Sequence, residues 1–375
     1  IKSSAASDVY KRQSLVSTLL TWERVRSFNV GFDFGAFSNR LTGSFDYFVR
    51  KTVDMVGPAP QLPLVLGIAP AIVNNADMKS YGFEIELSWR DRIGEVDYGV
   101  KFNLADAQQK VVKYPNTTNA FNDWYAGKMS GEIWGYTSLG IAKTDEEMKE
   151  HLASLPNGGQ NQLGNKWGAG DIMYADINGD GKVDGGKGTL ADPGDQRIIG
   201  NSTPRYNFGL VLDASYKGFD VSIFFQGVGK RDYAPIVGTN GAVFWGAVNN
   251  IWQSMAMEEH FDYFRPEGHP MGANLNGYYP RPDFTSNKNH QVQTRYLQDA
   301  SYIRLKNLQI GYTLPKQWIN KLHINRCRVY VSGDNLWTGT SLASMFDPET
   351  LAAGDWGSGK TYPLSKVISF GLNVN

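Results

Sequence analysis

The sequence predicts an all-β protein, in which about nine antiparallel strands form the C-terminal part of a large transmembrane β-barrel with long extracellular loops. In the clearest strand segments, large apolar residues alternate with polar residues or glycine, as in a sheet with one apolar and one polar face. The connections between segments are alternately short and long, which is typical of outer-membrane barrels. The segments also have the length of about ten residues that a tilted strand needs to cross a bilayer.

The alternation is clearest in Lys79–Arg90. One face carries Tyr81, Phe83, Ile85, Leu87 and Trp89, and the other carries Gly82, Glu84, Glu86, Ser88 and Arg90. The same reading predicts strands at Trp22–Phe37, Arg40–Lys51, Lys79–Arg90, Glu95–Gln109, Pro204–Tyr216, Phe219–Asp232, Ser301–Leu314, Asn325–Trp337 and Tyr362–Asn375. Tight turns such as Ser38-Asn39 and Lys217-Gly218 join the strands of most predicted hairpins, and the longer connection Pro315–Ile324 joins Ser301–Leu314 to Asn325–Trp337.

Four long connections separate these hairpins: Thr52–Met78, the ninety or so residues after Gln109, Tyr233–Asp299 and Thr338–Thr361. The second of them contains one predicted helix, Thr144–Leu155, because Thr144 and Glu147 have the spacing of a capping box. Since every long connection falls at the same end of the strands, we expect all four to face the cell exterior.

The alternating strands leave open which fold they form and how much of a barrel the chain contains. A soluble β-sandwich also has alternating strands and stays open as an alternative at this point. Nine strands do not close a membrane barrel, because open edges in hydrocarbon leave backbone groups unpaired, so we expect further strands upstream. Ile1–Gln13 fits no element of the pattern, and we interpret it as a sequencing or linker artefact. Ser14–Asn375 is then the C-terminal barrel portion of a longer protein.

Composition excludes several classes of function. Lysine plus arginine and aspartate plus glutamate both number 37, so no net field favours nucleic acid or anionic lipid. The single cysteine, Cys327, excludes an internal disulfide and a cysteine metal cluster. The most apolar segment, Leu62–Val73, is interrupted by proline and glycine, which excludes a transmembrane helix but not a barrel strand.

One segment has the spacing of a calcium-binding loop. In DINGDGKVD, Asp176, Asn178, Asp180 and Asp184 place oxygen ligands at positions 1, 3, 5 and 9, and Lys182 offers its carbonyl. Position 12 is Lys187 instead of an acid, although Asp192 or Asp195 follows closely. The spacing indicates a structural Ca²⁺ in an extracellular loop; an Asx-rich turn without an ion is the alternative.

The remaining motifs do not indicate catalysis. Gly354–Thr361 matches a phosphate-binding loop by letter, but Pro363 forbids the helix which that loop requires. We expect the five histidines (His151, His260, His269, His290 and His323) to be solvated surface residues. Loop aromatics are expected to stack on sugars, contact a partner or pack within the loops. They are Trp124, Tyr125, Trp134, Tyr136, Trp167, Trp245, Trp252, Tyr278 and Tyr279.

Several segments, in order, resemble the SusC/RagA-type TonB-dependent outer-membrane receptors. The matching runs are Arg40–Thr52, Lys79–Arg90, Asp176–Asp184, Gly194–Leu210, Gly227–Tyr233, Gln291–Pro315, Arg328–Thr338 and the final YPLSKVISFGLNVN. Together they span nearly all of Ser14–Asn375. The chain departs from the family in having no plug or TonB-contacting segment, and in ending at Asn375 instead of an aromatic residue.

The resemblance implies a barrel of roughly 22 strands around an N-terminal plug, with this chain supplying the last nine. It implies import of oligosaccharides or peptides across the outer membrane with no enzymatic step. The implied partners are a SusD-like lid lipoprotein, the TonB–ExbB–ExbD complex acting through the missing N-terminal part, and outer-membrane lipid. Polar strand residues are expected to line the lumen: Asp33, Asp46, Glu84, Glu86, Lys101 and Asp213. A passive porin and a secreted glycan-binding β-sandwich stay open as alternatives.

Overall fold

The computed structural model describes residues 20–57, 71–235, 242–249, 257–284, 286–320, 324–351 and 361–374. Ile1–Gln13, Trp252, His323 and most of the phosphate-loop-like segment lie outside these ranges.

The described chain is dominated by β-strands. In chain order they are β1 (Arg24–Ala36), β2 (Leu41–Val56), β3 (Asn74–Ile93), β4 (Val96–Lys113), β5 (Glu132–Gly135), β6 (Ser138–Ile141), β7 (Ile172–Tyr174), β8 (Arg197–Asn201), β9 (Arg205–Tyr216), β10 (Phe219–Lys230), β11 (Asp232–Tyr233), β12 (Gln298–Asp299), β13 (Tyr302–Thr313), β14 (Cys327–Thr340) and β15 (Val367–Val374). Nine of them form one antiparallel sheet in the order β1-β2-β3-β4-β9-β10-β13-β14-β15. All nine predicted strands are therefore confirmed.

Cross-strand register keeps the two faces of the sheet distinct. One apolar row runs through Phe34, Gly43, Leu87, Phe102, Leu210, Phe225, Leu305 and Trp337. The adjacent polar row runs through Asp33, Ser44, Glu86, Asn103, Gly209, Gln226, Arg304 and Thr338. Because the side-chain period of a strand is two, a one-residue slip would exchange these rows, so the alternation fixes the register.

An irregularity in β13 changes the alternation once. Leu305 and Asn307 pair with consecutive residues of β10, so Lys306 is an extra residue. A β-bulge of this kind shifts the apolar positions from odd to even numbers. The apolar residues Ile303 and Leu305 are accordingly followed by Leu308 and Ile310 on the same face.

The long connections carry most of the helical elements and all of the small sheets. Three two-stranded ribbons form there, by the pairing of β5 with β8, β6 with β7 and β11 with β12. The helical elements are α1 (Asp145–Ala153), α2 (Ala242–Asn249), 3₁₀ turns at Glu258–Phe261 and Thr294–Tyr296, and α3 (Lys316–Ile319) in a short connection. Thr144 caps α1 as predicted, accepting a hydrogen bond from the Glu147 backbone N–H. No described helix is long and apolar enough to span a membrane.

The buried apolar core lies in the long connections and not against the sheet. Its members are Tyr136, Leu155, Ile172, Tyr174, Val183, Val243, Phe244, Trp245, Tyr279, Tyr296, Ala300, Leu342, Phe346 and Leu351. The apolar face of the sheet stays exposed, with Phe32 at 61% and Phe370 at 85%. Among the described residues, only two-stranded ribbons exist beside the large sheet. The β-sandwich alternative, which requires two sheets packed face to face, is therefore wrong.

Candidate functional site

Three long connections fold together at one end of the sheet. We call the described residues of 114–204, 231–301 and 341–351 the loop unit, and we refer to these three ranges as its first, second and third connections. Its centre is Trp245, which is 1% exposed and packs its ring 4.7 Å from that of Tyr296. Tyr174 of the first connection and Phe346 of the third belong to the same buried cluster. Such close aromatic packing makes the three connections one structural body.

This packing shows what most of the predicted loop aromatics do. Tyr136, Trp245 and Tyr279 are buried in the cluster, and Trp167 and Tyr278 pack against it. These five side chains therefore pack within the loop unit, one of the three roles expected from the sequence. Their burial leaves little ring surface for stacking on a sugar.

A buried ionic group ties the first connection to the second. Asp171 is fully buried and accepts hydrogen bonds from Arg281 at 2.7 and 2.6 Å and from the Lys288 ammonium at 2.9 Å. The Asn289 side chain donates to the same carboxylate at 2.9 Å. Lys288 is itself 1% exposed. These donors satisfy the hydrogen-bonding capacity of the buried Asp171 carboxylate. The group therefore favours one specific arrangement of the two connections.

Two histidines are buried in the loop unit, contrary to the expectation that all were solvated. His260 accepts a hydrogen bond from the Met257 N–H through Nδ1, and its Nε2 contacts the Val243 and Phe244 carbonyls. His290 is 2% exposed and lies with its ring 4.6 Å from that of Trp245. Burial lowers the pKa of His290 to about 4.

The third connection is anchored to the sheet by arginine. Arg304 of β13 is 3% exposed and donates to Asp347 at 2.7 Å and Glu349 at 2.9 Å. Lys306, the bulge residue, reaches Glu349 at 2.9 Å. Burial opposes ionisation of Asp347, but hydrogen bonds from Arg304 and from backbone N–H groups outweigh it and lower the pKa of Asp347. Arg231 adds a hydrogen bond to the Leu351 carbonyl at 2.7 Å.

The calcium-like segment lies on the first connection and forms a tight turn. Asp176 accepts hydrogen bonds from the Gly179 and Gly181 N–H groups at 2.7 and 2.8 Å, and Asn178 accepts one from Asp180. Gly179 and Gly181 have φ of 75° and 78°, which glycine adopts without strain. The loop thus has the backbone path that its glycines predict.

Its carboxylates are engaged by donors of the chain itself. The Lys182 ammonium lies 2.5 Å from Asp184 and 3.8 Å from Asp180. The hydrogen bond from Lys182 lowers the pKa of Asp184. Asp195 is fully buried and accepts backbone hydrogen bonds from Ile177 and Asp184. Within the described ranges, no three acidic, histidine or cysteine side chains converge closely enough to hold a metal ion, and the calcium site stays a prediction.

The residues predicted to line a lumen share the polar face. Asp46 lies directly opposite Glu84, and Asp33 and Glu86 flank Ser44 in the next polar row. An open concave surface across β1 to β4 is lined by Asp33, Glu86, Lys101 and Asn103. Asp213 lies further along this face, opposite Gly99. This face is hydrophilic and open, as a channel wall or a plug-facing wall would be.

The apolar face has an aromatic residue beside a cation at each end of the strands. Near the loop unit, Lys79 lies over Tyr81 and Arg205 over Tyr206, both at 5.1 Å. At the short turns, Arg40 lies over Trp89 at 5.9 Å and Lys217 over Tyr216 at 5.1 Å. Eight residues separate Tyr81 from Trp89, which is about 26 Å along the strand and about 20 Å across a bilayer at the usual tilt. Two aromatic belts at this spacing are typical of a barrel in an outer membrane.

Sequence reasoning missed Asp171, Arg281, Lys288 and Arg304. Arg304 could have been noticed from the sequence, because it is a charged residue at a polar-face position of the predicted strand Ser301–Leu314. Asp171 and Lys288 are more than a hundred residues apart in irregular segments, where no periodicity relates one residue to another.

Comparisons with known proteins agree with this geometry. The family model for the TonB-dependent receptor-like β-barrel matches residues 6–336. TonB-dependent receptor P3 of Formosa agariphila is 29% identical over 95% of this chain and 34% of its own length. TonB-dependent receptor SusC of Bacteroides thetaiotaomicron is 20% identical over 95% of this chain and 32% of its own length. The chain thus spans about a third of the length of these curated relatives.

The fold also matches a solved transporter. The structure of the RagAB peptide transporter superimposes with a TM-score of 0.67 at 24% identity, over 95% of this chain and 36% of that one. These matches confirm the resemblance to SusC/RagA-type receptors. Because the family model covers most of the sequence and the nine-stranded sheet has the expected faces, the chain belongs to the TonB-dependent receptor-like β-barrel family.

Proposed function

We propose that the chain serves energised import of oligosaccharides or peptides across the outer membrane. The observation that carries this proposal is the division of the sheet into an exposed apolar face and a polar face, with the long connections folded into one unit at one end. An apolar face of this kind suits lipid, and the polar face suits a plug or a passing solute. No catalytic step is part of the proposal.

Capture would occur at the loop unit. The Asp171 group and the Arg304 anchor hold its connections to one another and to the barrel wall, which gives a rigid surface for ligand and for a SusD-like lipoprotein lid. A site whose loops are already ordered loses less entropy when it binds. Passage past a plug would then depend on the TonB–ExbB–ExbD complex, which draws on the inner-membrane proton gradient.

The test is uptake of labelled oligosaccharide and peptide pools by cells that make the full-length protein. We expect import that a protonophore abolishes and that falls when the lid lipoprotein is deleted. Import that persists with the protonophore would instead identify a passive porin. The variant Arg304→Gln should reduce ligand capture by about ten-fold by releasing the third connection. Its matched control, Arg92→Gln at the opposite end of the sheet, should leave capture unchanged.

We also propose that the loop Asp176–Asp184 holds a structural calcium ion. The side-chain oxygens of Asp176, Asn178, Asp180 and Asp184 and the Lys182 carbonyl would be its ligands. The glycine turns at positions 179 and 181 support this assignment. The ion would replace the Lys182 ammonium beside Asp184 and would stiffen the loop without taking part in transport.

A further inference from the structure

Four cations lie side by side on the apolar face of the sheet, at the end nearest the loop unit. Arg26 pairs with Lys51, Lys51 with Lys79, and Lys79 with Lys110, on four successive strands. We call these residues the cation row. Directly opposed residues have Cβ atoms about 5 Å apart, so the row places four positive charges within about 15 Å. The balanced net charge of the whole chain conceals this local excess.

The cation row lies on the apolar side of the strands. Each member is two residues from an apolar-face position: Phe28, Val49, Tyr81 and Gln108 form the next row. The Lys79 ammonium lies 5.1 Å from the centre of the Tyr81 ring, which places it on the same face as that aromatic residue. The row therefore borders the aromatic belt that marks the edge of the proposed hydrocarbon layer.

Carboxylates available to the row are few, because Asp54 and Asp106 at this end pair with Arg24 and Arg205 instead. Among the described residues, the only carboxylate within ion-pair distance of the row is Asp77, 3.6 Å from Lys51. Opposed like charges on a sheet are destabilising, so an arrangement of this kind favours an anionic group from outside the chain.

The opposite end of the strands, beside the short turns, is built differently. There Arg40 pairs with Asp91 at 3.0 Å, Arg92 with Asp97 at 3.6 Å and Lys217 with Glu95 at 2.7 Å. These three cations thus have carboxylate partners within the protein, whereas in the described part of the chain no carboxylate lies within ion-pair distance of Arg26, Lys79 or Lys110. This asymmetry matches a membrane whose two surfaces differ in charge.

We propose that the cation row binds the phosphate groups of anionic lipids in the outer leaflet. Lysine and arginine at a membrane surface attract phosphate headgroups through charge, and their apolar stems lie along the lipid-facing side of the sheet. Strand tilt raises the row by about 3 Å per strand, so its members cover a depth of about 9 Å, comparable with a headgroup layer. This inference rests on the proposed membrane topology, in which the loop unit faces outward.

The test compares two triple variants of the full-length protein in detergent. Arg26→Gln/Lys79→Gln/Lys110→Gln removes the three cations without a carboxylate partner, and Arg40→Gln/Arg92→Gln/Lys217→Gln removes three paired cations from the opposite end. Lipid retention is measured by native mass spectrometry after mixing with phosphatidylcholine bicelles that contain a minor fraction of phosphatidic acid. We expect the first variant to lose phosphatidic acid retention by about ten-fold or more and the second to stay near wild type.

Other outcomes each have a defined meaning. Unchanged retention in the first variant would overturn the proposal, as would displacement of the lipid by millimolar inorganic phosphate. Loss of a co-purifying acidic protein in place of lipid would also overturn it. Loss only in the second variant would mean that the short turns face the outer leaflet, which contradicts the proposed function as well.

Two controls accompany this test. Circular dichroism melting of both variants shows whether the barrel is intact, and unchanged uptake in the first variant separates lipid binding from transport.

Discussion

The ammonium of Lys288 lies 2.9 Å from a carboxylate oxygen of Asp171, and both side chains are almost completely buried. The two residues belong to different long connections, so one ion pair fixes the relative position of two loops. Burial makes the pair sensitive to the loss of either partner, because the remaining charge has no water to solvate it.

Replacement of Asp171 with asparagine should loosen the loop unit and leave the barrel strands folded. The variant removes the carboxylate that Arg281 and Lys288 share and leaves Lys288 only the more distant Asp283, at 3.8 Å, so we expect a loss of about 3–5 kcal/mol in loop stability. Hydrogen exchange would show this as faster exchange at residues 172–174 and unchanged exchange in β3 and β4. Asp97→Asn is the control, because the exposed Asp97–Arg92 pair should contribute at most about 1 kcal/mol. Equal exchange in the two variants would contradict a central role for Asp171.

Acid should destabilise the loop unit through His290. Burial lowers the pKa of His290 to about 4, whereas an unfolded histidine titrates near its ordinary value of about 6.5. The unfolded state therefore binds more protons between these values, and stability falls as the pH drops from about 6.5 to about 4. The full effect is about 3 kcal/mol. Trp245 fluorescence would report the change, and His290→Phe should remove this component of the pH dependence; an unaltered profile would count against it.

A new charge should destabilise the protein at Phe32 but hardly at all at its neighbour Asp33 on β1. Phe32 is on the exposed apolar face, so Phe32→Lys should cost about 2–4 kcal/mol when the full-length protein folds into lipid vesicles. Asp33 is on the polar face, where Asp33→Lys should change stability by less than about 1 kcal/mol. Urea titration in vesicles measures both values. Similar costs for the two variants would mean that the apolar face does not meet lipid.

Calcium binding should compete with Lys182. Isothermal titration of the full-length protein with calcium should show one site, and Lys182→Gln should strengthen binding by removing the ammonium beside Asp184. Asp176→Asn should weaken it, because Asp176 would be the first ligand of the loop. If the folded protein takes up no calcium at millimolar concentration, the segment is an Asx-rich turn.

The strands of this protein were predictable because each of them has two chemically different faces. Alternation in Lys79–Arg90 and its counterparts was enough to place nine strands, and the capping box at Thr144 located the start of α1. The structure extended several strands beyond the predicted ends, as in β3, which runs to Asn74. Asn74, Asn75 and Asp77 in that extension are polar, so the strand continues there without a clear apolar alternation.

The loop unit was not predictable in the same way. His290 and Asp171 are polar residues in irregular segments, where a polar residue is normally solvated. Their burial depends on Trp245, Arg281 and Lys288, which arrive from elsewhere in the chain. No local signal distinguishes such residues from surface positions.

The sequence by itself therefore determined the strand positions and the division into polar and apolar faces, because both depend on a pattern that repeats along a single segment. It also indicated the family, through several motifs that follow one another in order along the chain. Only the tertiary structure decided that the long connections form one packed unit, that Arg304 anchors it and that Arg26, Lys51, Lys79 and Lys110 adjoin. Those relationships arise from the register between strands and from contacts between distant loops, and both are set by packing of the whole chain rather than by the order of residues within any segment.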